Sequence, residues 1–288
     1  MILTDFPALY NSAGELSDTS QSNYLWSLRC EYLLLIVCSA MTINQVSISS
    51  YYYIYTFLFT LAFTLFIWRQ VTKPEKIWYQ GRALAESIKT LTWRFSMKAT
   101  PFDVESSSKA IFEFQSQISA ILQANVFAGN KLPASFASHD QVTPIMMSCR
   151  DKSLAERMCI YELERVRDQR NWYATKGGIN KRIGRRWVLL CGFVYLTAII
   201  SSLIRSANPN LTFLPTEVLI CIASSVVGWI QIKKFNELSA SYILTAHEIG
   251  ILHGSFQEIK SELEFSDFVT KAEQAFSREH TQWVARFA

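Results

Sequence analysis

From Tyr51 to Trp68 the chain reads YYYIYTFLFTLAFTLFIW, with no charged side chain before Arg69. A helix rises about 1.5 Å per residue, so about 20 such residues cross a hydrocarbon core of about 30 Å. A soluble core helix keeps a polar face every third or fourth residue. This stretch has no charged face, and burial on all sides is the simpler solution. Three more stretches share the property. Trp187 to Ile204 reads WVLLCGFVYLTAIISSLI between Arg186 and Arg205. A stretch from about Thr216 to Ile232 follows Pro215, a good first-turn residue, and closes at Lys233 and Lys234. The stretch from about Trp26 to Ile43 carries Arg29 and Glu31 in its first turns, leaving Tyr32 to Ile43 free of charge. Those two charges belong at an interface, where long side chains snorkel. Tyr51, Tyr52 and Tyr53 at one end of the second stretch and Trp68 at the other are aromatic anchors. Composition points the same way: 18% of residues are charged and 50% hydrophobic, where a soluble domain carries about a quarter charged residues.

The stretches come in two pairs with short connections. Asn44 to Ser49 carries no charge, and Arg205 to Pro215 contains the turn-forming Asn208-Pro209-Asn210. Each pair therefore predicts a hairpin with both ends on one side. Basic residues gather at those ends: Arg69, Lys73 and Lys76, then Lys181, Arg182, Arg185 and Arg186, then Lys233 and Lys234. The positive-inside rule puts them in the cytoplasm, together with both termini and the central segment. The N-terminal region carries Asp5, Glu15 and Asp18 and lacks the positive start of a secretory signal. The expected fold is an all-α membrane protein of two transmembrane helical hairpins, about four spans, with long cytoplasmic helices. One unit is expected in residues 1–150 and a second in 151–288. Apolar spacing and prolines predict cytoplasmic helices over Glu75–Met97, Ser106–Leu122, Asp151–Arg186 with a kink at Gly177-Gly178, and Phe235–Leu263. Asn130–Thr143 reads as a loop, and a last helix over Asp267–Phe287 would be capped by Ser266.

Chemistry-bearing motifs are sparse. Six cysteines form no metal spacing and read as free thiols. His247, Glu248 and His253 fail the HExxH rule, because the second histidine comes two residues too late. No catalytic, cofactor-binding or metal-ligating residue is assigned, and no enzyme activity or cofactor is expected. The net charge of +4 does not indicate a nucleic-acid binder. Thr56, Thr60 and Thr64 share one face of the second span, with Tyr52 and Tyr53 continuing the line. Such hydroxyls can line an aqueous path or bond back to their own helix. Ser224 and Ser225, with Cys221 and Gly228, form a small-residue face suited to close helix packing or to a pore lining. Glu217 can contribute to a cation-selecting ring or sit at a helix N-terminus favoured by the dipole. Arg165, Arg167, Arg170, Lys176, Lys181, Arg182, Arg185 and Arg186 form a basic stretch before the third span. It can hold anionic lipid headgroups or a phosphorylated ligand, or serve as topology signal and solvated face. Arg82 and Glu86, four apart, are placed to bridge on one helix face. With Arg165, Arg170, Lys181, Arg182, Arg185 and Arg186 they make the candidate cytoplasmic gating or ligand contacts, and Thr56, Thr60, Thr64, Glu217, Ser224 and Ser225 the candidate pore lining.

Three passages carry a resemblance: WYQGRALAESIKTLTWRFSMKATPF (Trp78 to Phe102), YELERVRDQRNWYATKGGINKRIGRRW (Tyr161 to Trp187) and SREHTQWVAR (Ser277 to Arg286). They resemble the SLATT family, the SMODS- and SLOG-associating two-transmembrane effector domains, here as a tandem with one unit in each half. The resemblance implies a bacterial conflict or antiviral system and an effector that perturbs the inner membrane by forming pores. It also implies activation downstream of a nucleotide-signal synthase or sensor. No such domain is fused here, so the trigger is expected from a separate sensor protein or a nucleotide signal. Few buried charges argue against an ion relay but suit a homo-oligomer whose assembly or rearrangement opens a path through the bilayer. Two rivals stand beside this expectation: a membrane anchor that recruits a cytoplasmic partner, and a membrane enzyme using His247 and Glu248 as acid-base groups.

Overall fold

A chain this apolar must hide its backbone polar groups, and helices do so locally. In the computed structural model, which describes residues 5–43, 49–208, 211 and 213–285, helix is the only regular structure among the described residues. The helices are α1 (Ala8–Met41), α2 (Ser49–Thr72), α3 (Pro74–Ser96), α4 (Ser107–Ala124), α5 (Val126–Gly129), α6 (Pro144–Arg150), α7 (Leu154–Tyr161), α8 (Asp168–Ala207), α9 (Thr216–Lys233), α10 (Phe235–Gly254) and α11 (Glu262–Ala285). Four long helical runs, containing α1, α2, α8 and α9, are apolar enough over 18 residues to cross a membrane. These are the four stretches picked out by sequence.

Local chemistry sets several boundaries. The Ser106 hydroxyl accepts from the Lys109 N–H and starts α4. Thr143 does the same for Met146, ahead of Pro144 at the first position of α6. Ser153 and Glu156 form a capping box at α7, later than the expected start at Asp151. Two further expectations need correction. The helix after the fourth span ends at Gly254 rather than running to Leu263, and a short 3-10 turn, Phe256–Glu258, follows. The last helix starts at Glu262, because Ser261 and Glu264 cap it: the Glu264 N–H donates to the Ser261 hydroxyl at 3.3 Å, and the Ser261 N–H donates to the Glu264 carboxylate at 3.0 Å. Ser266 therefore lies inside the helix, and its hydroxyl accepts from the Thr100 N–H at 3.0 Å. Gly177 and Gly178 lie within α8 without ending it, and α7 joins α8 through a π-helical turn, Glu162–Arg167. The predicted loop 44–48, Pro209 and Asn210 of the predicted turn, and the end of the last helix beyond residue 285 lie outside the described residues.

The chain divides into two compact bodies, each drawing on both halves of the sequence. The first takes the described parts of Met1–Gln21, Pro74–Lys176 and Ser241–Ala288. Its core is an ordinary apolar interior. Leu84, Ile88, Leu91 and Phe95 recur along one face of α3 and pack with Leu9 and Ala13 of α1, Ala110, Phe114 and Ile118 of α4, and Met146 of α6. The rings of Phe95, Phe102 and Phe114 meet at 4.8 to 5.9 Å between centroids. Trp93 and Phe265 both meet Tyr161, at 5.8 and 6.0 Å, and α11 packs along α3. At Gly81 a Cβ would sit 3.2 Å from the Ser17 backbone nitrogen, so glycine lets α1 and α3 touch through their backbones. The second body takes Ser22–Lys73 and Gly177–Ala240, and it contains all four apolar stretches.

Candidate functional site

In the second body, the first two spans pair as a hairpin: the Arg69 guanidinium at the end of α2 is ion-paired with Glu31 near the start of the first span, and the Tyr51 hydroxyl donates to the Met41 carbonyl at the other end. The second hairpin is held at Ser201 and Thr216, whose hydroxyls lie 3.1 Å apart, and at Arg205 and Glu217, 2.6 Å apart. Its opposite end brings Trp187 to Trp229 at 6.3 Å. The Arg29 guanidinium sits 5.2 Å from the Trp229 ring centre. A Cβ at Gly228 would lie 2.6 Å from the Tyr32 hydroxyl, so α1 crosses α9 at its smallest residue. Arg29, Glu31, Arg69, Trp187, Trp229 and Lys233 therefore share one end of this bundle, and Arg205 with Glu217 marks the other. Large apolar side chains such as Phe57, Phe63, Leu189, Phe193 and Leu203 point outward, the reverse of a soluble domain.

The six candidate pore-lining residues all fall in this body. Thr56, Thr60 and Thr64 are exposed. The Thr60 hydroxyl donates to the Thr56 carbonyl and the Thr64 hydroxyl to the Thr60 carbonyl, each at 2.8 Å. Ser225 donates to the Cys221 carbonyl at 2.9 Å while Ser224 is exposed. Glu217 is engaged by Arg205. Lys181, Arg182, Arg185 and Arg186 are exposed on α8.

The other candidates fall in the first body and do not form one surface. Arg82 and Glu86, one turn apart on α3, line a cavity of about 690 Å³. Trp78 and Lys89 also come from α3, Tyr10, Glu15 and Asp18 from α1, and Asp168, Trp172 and Tyr173 from α8. The lining mixes both signs of charge with clustered aromatics: Tyr173 meets Trp172 at 5.0 Å and Tyr242 at 5.6 Å. Burial, followed by the nearby Arg165, pushes the Lys89 ammonium below its ordinary pKa. Arg170 is exposed, and its guanidinium lies on Gly250, where a Cβ would stand 3.2 Å away.

Arg165 is only 1% exposed. Its Nε and Nη2 donate to the Glu273 carboxylate at 2.8 and 2.7 Å, the Tyr161 hydroxyl donates to the same group at 3.0 Å, and the Phe276 ring lies under the guanidinium at 4.7 Å. Burial alone would lower the Arg165 pKa; Glu273 overrides it and holds the guanidinium charged, above its ordinary value. Burial and the Glu273 charge push the Tyr161 phenol well up, so it stays a donor. Two arginines that the sequence did not single out fasten the α3–α4 turn. Arg150 donates to the carbonyls of Phe95, Phe102 and Val104 at 3.0, 2.7 and 2.9 Å. Arg157 donates to the Met97 carbonyl at 2.7 Å and is ion-paired with Glu262. The signal for Glu273 lies in α11: Val269, Ala272 and Phe276 mark a buried face, and a carboxylate on that face requires a partner. His253 meets Glu162 at 3.0 Å, while His247 is exposed. Among the described residues no group of histidine, cysteine and carboxylate side chains is arranged to hold a metal, and all six cysteines are free.

Comparison with known proteins places two family models end to end. SMODS and SLOG-associating 2TM effector domain 3 matches residues 7–158. SMODS and SLOG-associating 2TM effector domain 1 matches residues 161–283. No curated protein and no solved structure matches the chain. Two domains of two spans each agree with the four apolar helices of the second body, and the protein is a multi-pass membrane protein. The chain belongs to the SLATT family of SMODS and SLOG-associating two-transmembrane effector domains, and carries two such domains in tandem.

Proposed function

We propose that this protein is the membrane effector of a bacterial conflict or antiviral system, and that its activated form opens a path for ions through the inner membrane. The observation that carries the proposal is the union of four apolar spans in one body with two effector-domain matches along the chain. Both termini and the first body are assigned to the cytoplasm, in keeping with the basic ends of both hairpins meeting at one end of the bundle. The active form is a homo-oligomer. In a single copy the large outward side chains of the bundle, such as Phe57, Phe63, Leu189 and Phe193, are apolar. An aqueous path therefore needs several copies, with Thr56, Thr60 and Thr64 or the Ser224–Ser225 face turned inward and Glu217 at its mouth. Back-bonded hydroxyls still present lone pairs to water. A separate sensor protein or nucleotide signal supplies the trigger, acting on the first body at the cavity lined by Arg82 and Glu86.

Expression of the protein with its trigger should collapse the membrane potential before growth stops, and purified protein should release ions from liposomes. Toxicity with an unchanged potential-sensitive dye signal would overturn the proposal. Liposomes that pass no current while the protein still recruits a cytoplasmic partner would turn it toward an anchoring role.

A further inference from the structure

Four cations stand together on α8 just before its apolar run. Lys181, Arg182, Arg185 and Arg186 are exposed. None has a hydrogen-bond or ion-pair partner among the described residues. Residues i, i+1, i+4 and i+5 of a helix fall within an arc of about 140°, so the four form one stripe. The opposite side of the same turn is closed: a Cβ at Gly184 would lie 3.0 Å from Phe235. The stripe faces away from that contact.

Its level is set by neighbours in the same body. Apolar sequence begins at Trp187, which meets Trp229 at 6.3 Å. Lys233 lies 5.9 Å from the Trp229 ring and brings a cation from α9 to the same level. Tryptophans of this kind settle at the edge of the hydrocarbon. At about 1.5 Å per residue, Arg186 to Lys181 lie within about 9 Å of Trp187 along the axis. The headgroup layer is about 5–8 Å deep on each side of a bilayer, and long basic side chains reach along the helix by several ångströms. Arg182, Arg185 and Arg186 therefore fall within the headgroup layer, and Lys181 stands at its outer edge. A guanidinium engages a phosphate with two parallel donors, which a solvated face does not require.

We infer that the Lys181–Arg186 stripe is a binding site for the phosphate of an anionic phospholipid. The partner is the lipid headgroup rather than a free anion, because the site abuts Trp187 and the apolar run that would hold the acyl chains. The inference needs the spans to lie in a bilayer and holds whether or not the bundle conducts.

The test uses the full chain in nanodiscs of phosphatidylcholine with a minority of phosphatidylglycerol, and native mass spectrometry of the lipids retained after extraction. Retained lipid should be enriched in phosphatidylglycerol, by about fivefold for each cation engaged. Lys181→Gln, Arg182→Gln, Arg185→Gln and Arg186→Gln together should abolish the enrichment. Arg182→Lys, Arg185→Lys and Arg186→Lys together should lower it only in part, because lysine keeps the charge and loses the paired donors, and millimolar inorganic phosphate should leave it unchanged. No enrichment with the unaltered protein, or full enrichment with the glutamine variant, overturns the inference. Displacement of the lipid by inorganic phosphate overturns it in favour of a free-anion site. Should the glutamine variant fail to insert, a salt titration of the unaltered protein decides: enrichment must fall as ionic strength rises, and a salt-independent value overturns the site.

Discussion

The two bodies solve opposite solvation problems with the same element. The first hides Phe95, Phe102, Phe114 and Phe265 and also encloses Arg150, Arg157, Arg165 and Glu273. The second turns Phe57, Phe63, Leu189 and Phe193 outward and keeps its ion pairs at the ends of the bundle, as Arg69–Glu31 and Arg205–Glu217. The lesson is that a body can bury charge where its own chain supplies partners, and a lipid-facing bundle cannot. In the first body Arg157 and Arg165 meet carboxylates and Arg150 meets three backbone carbonyls, so much of the desolvation is offset locally. In the second, lipid offers no partner, and charge is kept to the edges.

The sharpest way to break this contrast is to orphan a charge in the first body. Glu273→Ala leaves the Arg165 guanidinium and the Tyr161 hydroxyl without their acceptor and should cost the first body about 3–5 kcal/mol. The reading is earlier loss of hydrogen-exchange protection in α3 and α11 while the spans stay protected. Joint Arg165→Met and Glu273→Leu should recover most of that loss. An uncoupled result, with the double change as damaging as the single one, would mean the pair does not carry the packing.

Arg150→Met comes next. It removes donors from the carbonyls of Phe95, Phe102 and Val104 and should cost about 2–4 kcal/mol, given about 1–3 kcal/mol for a buried group left unsatisfied. Protease cleavage between residues 97 and 106 would report it. In the second body, Gly228→Leu forces Tyr32 out of its contact and should cost about 1–3 kcal/mol. Gly228→Ala with Tyr32→Phe should be milder than Gly228→Ala alone, measured as thermal stability in detergent. Thr60→Val should change stability by no more than about 0.5 kcal/mol, since the hydroxyl is exposed and bonded only to its own helix. A loss of ion flux without loss of stability there would sharpen the assignment of that stripe to a path.

The smallest effect is one of pH. The Lys260 N–H, the Ser261 hydroxyl and the Ser261 N–H hold the Glu264 carboxyl below its ordinary pKa. A depressed carboxylate stabilises above its unfolded value, about 4.3, and loses that contribution as pH falls through the folded one. The protection factors of amides at the start of α11, corrected for intrinsic exchange, should therefore fall only on acidification, with those of the spans unaffected.

The spans are legible in the sequence because lipid imposes one rule on every residue of a stretch, so a run such as Trp187–Ile204 needs no tertiary context. Helix starts are legible where a capping side chain stands beside a clear apolar pattern, as at Ser106. The start of α11 is harder, because Ser261 and Ser266 are both suitable caps. Ser266 is drawn instead to Thr100, a partner 166 residues away in sequence, and Ser261 takes the cap. What sequence does not reveal is which charges go inside. Arg165 sits in a basic stretch with Arg167 and Arg170, and only the arrival of Glu273 from α11 separates it from them. Arg82 and Glu86 have the spacing of a pairwise bridge, yet the cavity they line is closed by α1 and α8, elements that a pattern along α3 does not mention.

The distance in sequence between Arg165 and Glu273, 108 residues, has a consequence for biogenesis. A ribosome delivers α8 and α9 before it delivers the carboxylate, so the spans meet the translocation machinery while the guanidinium is still unanswered. A nascent chain cut short before α11 would hold the four apolar stretches found among the described residues but no finished first body.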